Sequence, residues 1–242
     1  DCLEFHDSIE SVILPLVKER LQKRKEMLGV DSLRPWDTAV DPQGRAPLRP
    51  LEGGVNLVEG CRQIFTKVHP DLDQMFRILI DGDLLDLDSR SGKAPGGYQC
   101  TYHEIRKPFI FMNSAGKQGD VETLLHEGGH AFHFIESRDL ELIANRGAPI
   151  EFCEVASMAM ELLGNPYLDV FYDDESQITR ARIEHLEGII SLFIWVAMID
   201  SFQHWIYTNP GHSREDRKAS WLAIMDRFNT GVMDWSGIEE IR

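Results

Sequence analysis

Apolar residues recur at helical spacing in the first thirty residues of the chain. Between residues 3 and 28 they fall three or four positions apart, and charged residues such as the run KERLQKRKE cover the opposite face. This spacing predicts one long amphipathic helix. Gly29 fits its C-terminal end, because glycine readily adopts the left-handed conformation that closes a helix.

Helical patterns also account for most of the remaining chain. An arm rich in proline and glycine, residues 31–55, interrupts them, since this composition favours loops over regular elements. Further helices are predicted over residues 56–80 with a break at Pro70, then over 121–136, 149–163, 176–208 and 214–229.

The segment GYQCTYHEIRKPFIFMN carries the strand signal of this chain. Residues 98–103 and 109–113 are rich in β-favouring side chains, and EIRKP can turn between them, which predicts a two-stranded hairpin. A short helical or extended piece is expected at 84–87. The predicted fold class is therefore mainly α, with a small β-hairpin or sheet. We expect a single domain, in which residues 1–55 form the N-terminal helix and arm, and 56–242 form a helical core with the hairpin at 98–113.

Charge and cysteine content indicate which partners and which cellular compartment suit this protein. The 25 basic and 40 acidic residues give a net charge of −15, which disfavours nucleic acid and anionic membranes because both bind basic surfaces. Four cysteines without CxxC spacing predict reduced thiols in a cytoplasmic protein. The longest apolar run, residues 189–199, is too short to span a bilayer.

The stretch DVETLLHEGGHAFH contains candidate metal chemistry. His126 and His130 are four residues apart, so one helix face would present both imidazoles to a single ion. Glu127 is rotated by about 100° from His126, where it suits a general base acting on water. Asp120 is a plausible N-cap for this helix.

A catalytic zinc usually takes three protein ligands, so the third must come from elsewhere. The next predicted helix offers Glu154, with Glu151 one turn earlier and Glu161 two turns later on roughly the same face. We expect Glu154 to be the ligand, and Glu151 and Glu161 to be outer carboxylates that orient a ligand imidazole. A structural metal site, with His133 as a further ligand, and a helix without metal are the alternatives.

Two glycines inside the motif weaken the helix by about 1 kcal/mol each. Gly128 and Gly129 would compensate by letting a neighbouring helix or a substrate strand approach closely. The alternative is that the two glycines weaken the helix and have no structural role.

Several ordered motifs resemble the thimet oligopeptidase and oligoendopeptidase F family of zinc metallopeptidases, and most closely its oligoendopeptidase F branch. In HEGGHAFH, the resemblance makes His126 and His130 zinc ligands and Glu127 the catalytic base. In EVAS it makes Glu154 the third ligand, and Glu161 matches a further family glutamate. The segments LGVDSLRPWD, GKAPGGYQC, PFIFMN and FQHWIYTNPGHSREDR also resemble this family.

The resemblance implies a zincin-like helical metallopeptidase that holds one Zn²⁺ per chain. Its predicted function is hydrolysis of short peptides by Glu127-assisted attack of zinc-bound water. Gly128 replaces a bulkier family residue, which is expected to open the site. Family members are more than twice as long as this chain, so we expect a catalytic-domain fragment. A zinc-binding fragment without turnover is the alternative, and surfaces exposed by truncation would favour self-association.

Substrate contacts are predicted on the hairpin. Its exposed edge could accept an extended peptide as an added strand, which gives Tyr98, Gln99 and Cys100 a binding role. Simple sheet packing is the alternative, and His103 could face the same cleft. The family's oxyanion donors belong to a later segment, for which this chain offers three weak substitutes: Tyr207, His204 and His212.

Overall fold

The computed structural model describes residues 2–51 and 56–241. The chain divides into two compact units, one formed by residues 1–46 and 183–242 and the other by residues 47–182. The predicted fold class, mainly α with a small sheet, is confirmed. The single-domain organisation stays a prediction.

Eight α-helices and three β-strands make up the described residues, together with short 3₁₀ and π segments. The helices are α1 (Cys2–Ser8), α2 (Leu14–Leu28), α3 (Leu57–Val68), α4 (Pro70–Asp81), α5 (Gln118–Ser137), α6 (Ile150–Gly164), α7 (Glu175–Thr208) and α8 (Arg214–Arg227). The strands are β1 (Leu85–Asp88), β2 (Tyr98–Tyr102) and β3 (Lys107–Ser114).

The sheet of the 47–182 unit contains one strand more than the predicted hairpin. β2 and β3 form the antiparallel hairpin, and Arg106 takes a positive φ of 54° in the turn between them. β1 pairs in parallel with β3, so the strand order is β1-β3-β2. The ambiguous piece near residue 84 is therefore extended, and β2 lies at an edge of the sheet.

Helix α5 occupies the core of this unit. Its Leu124, Leu125 and Phe132 are buried in one apolar cluster with Phe65 of α3 and Met112 of β3. The rings of Phe65 and Phe132 meet edge to face at 4.8 Å between centroids. Apolar side chains on three elements thus fix the position of the helix that carries the histidine motif.

The start of α5 differs from the prediction. The helix begins at Gln118, so Asp120 lies in its first turn and is not the N-cap. Its Oδ2 accepts hydrogen bonds from the backbone N–H groups of Ala115 (2.9 Å) and Lys117 (2.8 Å). The Asp120 carboxylate reaches back to the preceding turn because those donors have no partner within the helix.

The other unit is built from long helices. A π-helical segment, Ile9–Ile13, joins α1 to α2, and Gly29 ends α2 with a φ of 65°, as the sequence predicts. Within the predicted arm, Pro35–Thr38 form one 3₁₀ turn. Helix α7 extends well beyond the apolar run seen in the sequence, and by length and composition alone it could cross a membrane. The predicted absence of a membrane partner therefore stays a prediction.

Candidate metal centre

The two motif histidines and one glutamate converge between α5 and α6. The ring centroids of His126 and His130 are 4.9 Å apart. His126 Nε2 lies 3.2 Å from Glu154 Oε2, and His130 Nε2 lies 3.5 Å from Glu154 Oε1. One ligand atom from each residue falls within 4.8 Å of the others. The structure thus brings together the three predicted ligands.

Gly129 allows α6 to approach α5 closely enough for this convergence. A Cβ atom built on Gly129 would lie 2.6 Å from the carbonyl oxygen of Ala156 and 2.7 Å from Cα of Ser157. Both are backbone atoms of α6, which cannot rotate away as a side chain does. A Cβ atom built on Gly128 would lie 2.6 Å from Cζ of the buried Phe65 ring. The space at Gly128 is therefore filled by the core, and the expected opening of the site there is wrong.

Outer carboxylate and hydroxyl groups hold the candidate ligands. The Nδ1 atom of His126 lies 2.6 Å from Glu161 Oε1, so an Nδ1–H that donates to Glu161 leaves the Nε2 lone pair facing Glu154. The buried Ser157 hydroxyl donates to Glu154 Oε2 at 2.8 Å. The side chain of Glu151 lies outside the described residues, so its predicted outer role stays a prediction.

The side chain of Glu127 is buried beside the three candidate ligands, and one of its carboxylate oxygens is unpaired among the described residues. The Oε2 atom of Glu127 is one of two buried side-chain polar atoms that have no hydrogen-bond partner within the described ranges. The backbone of Gln99 in β2 hydrogen-bonds to the same carboxylate. An unpartnered buried oxygen costs about 1–3 kcal/mol, which is the expected arrangement for a group that meets its partner during catalysis.

Burial and neighbouring charges shift the pKa values of these groups. Burial lowers the pKa of His126, but the hydrogen bond and charge of Glu161 outweigh it and leave the pKa raised. Burial lowers the pKa of His130. Burial also raises the pKa of Glu127, although the nearby His126 and the hydrogen bond from Gln99 oppose this. A carboxyl group with a raised pKa is better matched to proton transfer near neutral pH.

The predicted substrate residues occupy different surroundings. Tyr98 is half exposed and stacks on Phe111 at 4.9 Å between ring centroids. The Gln99 side chain donates to the Cys100 carbonyl at 2.8 Å, and burial raises the pKa of the Cys100 thiol. His103 lies in the turn after β2, with its ring 6.0 Å from that of Phe134. Among these residues, Gln99 contacts the candidate centre directly, through its backbone.

The loop before β2 is anchored by residues that the sequence reasoning missed. The Asn113 side chain donates to the carbonyl oxygens of Ala94 (2.6 Å) and Gly96 (3.0 Å). The Lys93 ammonium, only 1% exposed, donates to the backbone carbonyls of Asp86 and Asp88 at 3.0 Å and 2.8 Å. Ser157 was missed as well, and its place three residues after Glu154 was the available signal, because residues at that spacing meet on a helix.

The three weak oxyanion candidates belong to the unit formed by residues 1–46 and 183–242. Tyr207 is 79% exposed. His204 and His212 line a cavity within that unit. Their predicted participation in catalysis stays a prediction.

A helical fold whose core helix presents two histidines and a buried glutamate, with a third carboxylate from the next helix, is the arrangement expected of a metallopeptidase. The model of peptidase family M3 matches residues 1–239, and the chain belongs to this family.

Characterised relatives agree with this assignment. The chain is 26% identical over 212 residues to Oligopeptidase PepF of Bacillus subtilis, covering 85% of this chain and 31% of that protein. It is 26% identical over 151 residues to the chromosomal Oligoendopeptidase F of Lactococcus lactis subsp. cremoris, covering 61% of this chain and 24% of that protein. The chain therefore spans less than a third of the length of these two relatives.

A solved structure described as PZ peptidase A with an inhibitor superposes with a TM-score of 0.89 at 30% identity. The superposition covers 99% of this chain and 42% of the other. Helix α7 therefore has a counterpart within a peptidase fold, despite a length and composition that would also suit a membrane span.

Proposed function

We propose that this chain forms the metal-binding core of a zinc-dependent endopeptidase that hydrolyses short peptides. The observation that carries the proposal is the convergence of His126, His130 and Glu154 to within 4.8 Å, beside the buried Glu127. Two imidazoles and one carboxylate are the ligand set of several catalytic zinc sites, which leave a further position open. The unpartnered Glu127 Oε2 fits a centre of this kind.

Each residue of the centre has a distinct role in the proposal. His126, His130 and Glu154 bind one Zn²⁺ per chain, and Glu161 fixes the orientation of His126. Glu127 acts as the general base. When bound, zinc supplies Lewis acidity, which makes water more acidic and a peptide carbonyl more electrophilic.

Glu127 moves the proton during hydrolysis. Its Oε2 takes a proton from the attacking water and delivers it to the nitrogen of the departing amine. The burial that raises its pKa makes the protonated carboxyl accessible at this step. The hydrogen bond from the Gln99 backbone holds the carboxylate in place.

The edge of β2 suits an extended peptide. Within the described residues β2 pairs with β3 on one side, and Gln99 joins this strand to Glu127. A peptide added along the open edge would take hydrogen bonds from the strand backbone, which places its scissile bond near the base. We propose Tyr98, Gln99, Cys100 and His103 as contacts along this edge.

An alternative is that this chain binds zinc without turning substrate over. The chain spans 31% or less of the two relatives' length, and the family resemblance predicts oxyanion donors in another segment. Removing such a donor typically costs about 10²–10³-fold in turnover. Binding and catalysis therefore have to be measured separately.

Replacement of Glu127 separates the two functions. Glu127→Gln keeps the size of the side chain and removes the base, so zinc content should stay unchanged while cleavage of a quenched fluorescent peptide is lost. Glu136→Gln, an exposed carboxylate on the same helix, is the matched control and should retain both.

The outcomes of this experiment distinguish a peptidase from a chain that binds zinc without turnover. Zinc without cleavage in the unmodified chain would favour the alternative. Cleavage that survives in Glu127→Gln would overturn the proposed role of the base, and a chain without zinc affinity would overturn both functions.

The remaining expectations concern location and partners. The net charge of −15 supports the proposal that nucleic acid and anionic membranes are not its partners. A cytoplasmic location is likewise a proposal. The exposed apolar residues of α6, notably Ile150, Phe152 and Val155, support self-association, which concentration-dependent size-exclusion chromatography would detect.

A further inference from the structure

A second group of metal-binding side chains lies within the unit formed by residues 1–46 and 183–242. Ligand atoms of Cys2, Asp200 and His204 fall within 4.8 Å of one another. Asp200 and His204 are four residues apart on α7, so they share one helix face, and Cys2 comes from the start of α1. Two groups of three ligand atoms this close together occur in the described part of the chain, and the other is the centre formed by His126, His130 and Glu154.

A buried histidine orients the carboxylate of this group. His6 is 1% exposed, and its Nε2 lies 2.6 Å from Asp200 Oδ2. The same Oδ2 lies 3.7 Å from His204 Nε2, so the contact with His6 holds the Asp200 carboxylate beside the second imidazole. Metal ligands commonly carry an outer partner of this kind, and His126 has the same relation to Glu161.

Of the three residues, His204 lines a cavity of about 880 Å³ within the same unit. His6, Ser201, His204 and Trp205 are among the residues that line it. Ser201 Oγ is buried without a hydrogen-bond partner, and Glu127 Oε2 is the other such atom among the described residues. Each of the two groups of candidate metal ligands therefore lies near a buried side-chain oxygen that has no hydrogen-bond partner in the described part of the structure.

The charges around the cavity permit a cation. Arg227 also lines it, but its guanidinium is paired with Asp7 at 2.6 Å and Glu10 at 2.7 Å. His212 is engaged as well, since its Nδ1 lies 2.6 Å from the Asn209 carbonyl and its Nε2 accepts from Arg217 at 3.0 Å.

We propose that Cys2, Asp200 and His204 bind a second divalent metal ion of the zinc type. A thiolate, an imidazole and a single carboxylate suit zinc or cobalt, whereas magnesium and calcium need more oxygen ligands. Binding displaces the thiol proton of Cys2 to solvent. The ion would link α1 to α7 beside the cavity that His204 lines, and a water or a small anionic ligand would complete its coordination.

Cobalt titration of the full chain tests this site directly. A thiolate bound to Co²⁺ gives a charge-transfer absorption band in the near ultraviolet, and the His126–His130–Glu154 centre contains no thiolate that could produce it. The unmodified chain should show the band and bind about two ions, as expected for two three-ligand sites. Cys2→Ser should lose the band and bind about one ion, and His204→Ala should bind about one ion with a weakened band.

Matched controls come from the same cavity and from another thiol. His212→Ala removes a cavity-lining imidazole whose nitrogens are already engaged, and Cys153→Ser removes a half-exposed cysteine outside the group. Both should keep the band and the second ion. An unmodified chain that binds cobalt without the band, or a band that survives in Cys2→Ser, would overturn the proposal.

Thiol protection provides a measurement on the unmodified protein. Saturating zinc should slow alkylation of Cys2 by iodoacetamide about tenfold or more, because the metal-bound thiolate is not free to react. The rate at Cys153 in the same sample is the internal reference. Equal slowing at both cysteines, or none at Cys2, would contradict a site at Cys2.

Discussion

Substitution of Gly129 by alanine tests whether the approach of α6 to α5 builds the metal centre. The new Cβ would lie 2.6 Å from the Ala156 carbonyl oxygen and 2.7 Å from Cα of Ser157. Non-bonded carbon atoms prefer about 3.5–4.0 Å, so α6 must move away by roughly 1 Å. Glu154 lies one turn from Ser157 and moves with it.

The magnitudes separate an effect on the site from an effect on the fold. Overpacking costs about 1–3 kcal/mol, and the better helix propensity of alanine offsets about 1 kcal/mol of that. The free energy of unfolding of the metal-free protein should therefore fall by only about 0–2 kcal/mol. Metal–ligand distances tolerate about 0.2 Å, so zinc affinity should fall by about 10–100-fold or more.

The assay is competition with a chromophoric chelator, with urea unfolding of the metal-free protein in parallel. Gly119→Ala is the matched control on the same helix, because a Cβ there meets no atom within 4 Å. It should leave zinc affinity unchanged and alter stability by no more than about 1 kcal/mol. If Gly129→Ala behaves like Gly119→Ala, the close contact does not position Glu154 and the reasoning fails.

Three further predictions follow from individual contacts. Glu161→Gln replaces the carboxylate that holds His126 and should weaken zinc binding by about 10–100-fold; an unchanged dissociation constant in chelator competition would exclude this orienting role. Ser157→Ala removes the hydroxyl that donates to the ligand carboxylate and should weaken zinc binding by a similar or smaller factor, while a retained affinity would show that the hydroxyl is structural. The hydrogen bonds from Arg62 and Gln63 lower the pKa of Glu59 to about 2, so its contribution to stability is present above the ordinary pKa and is lost as the pH falls towards 2. Glu59→Gln should therefore lower the free energy of unfolding at pH 7 by at most about 1 kcal/mol, since the pair is partly exposed. In chemical unfolding, the difference from the unmodified protein should vanish near pH 2. A difference that is independent of pH would contradict this account.

The helices could be predicted from local sequence because the helical spacing of their apolar residues is visible in consecutive residues. The helix ends at Gly29 and before Pro70 follow from the conformations that glycine and proline allow, and both appear in the structure. The start of α5 was less predictable. Asp120 is predicted as the N-cap, but its carboxylate accepts hydrogen bonds from the preceding turn, and the helix begins at Gln118, three residues earlier than predicted.

The sheet shows where local patterns end. The hairpin of β2 and β3 has a clear signal, since two β-rich runs are joined by a short turn. The four residues of β1 have no such signal, and they are extended because β3 offers them backbone partners. Strand pairing over that separation depends on the packed fold and not on the composition of LDLD.

At the candidate centre, the sequence by itself determined the pair of imidazoles. A four-residue separation on a helix places His126 and His130 on one face whatever surrounds them. The choice among the three later glutamates depended on the tertiary structure, because their spacing in the sequence puts all three on roughly one face of the predicted helix. The crossing of α6 over Gly129 brings Glu154 to both imidazoles and Glu161 to the far nitrogen of one. Helical periodicity is fixed by the chain, whereas the distance between two helices depends on the side chains, or their absence, where they touch.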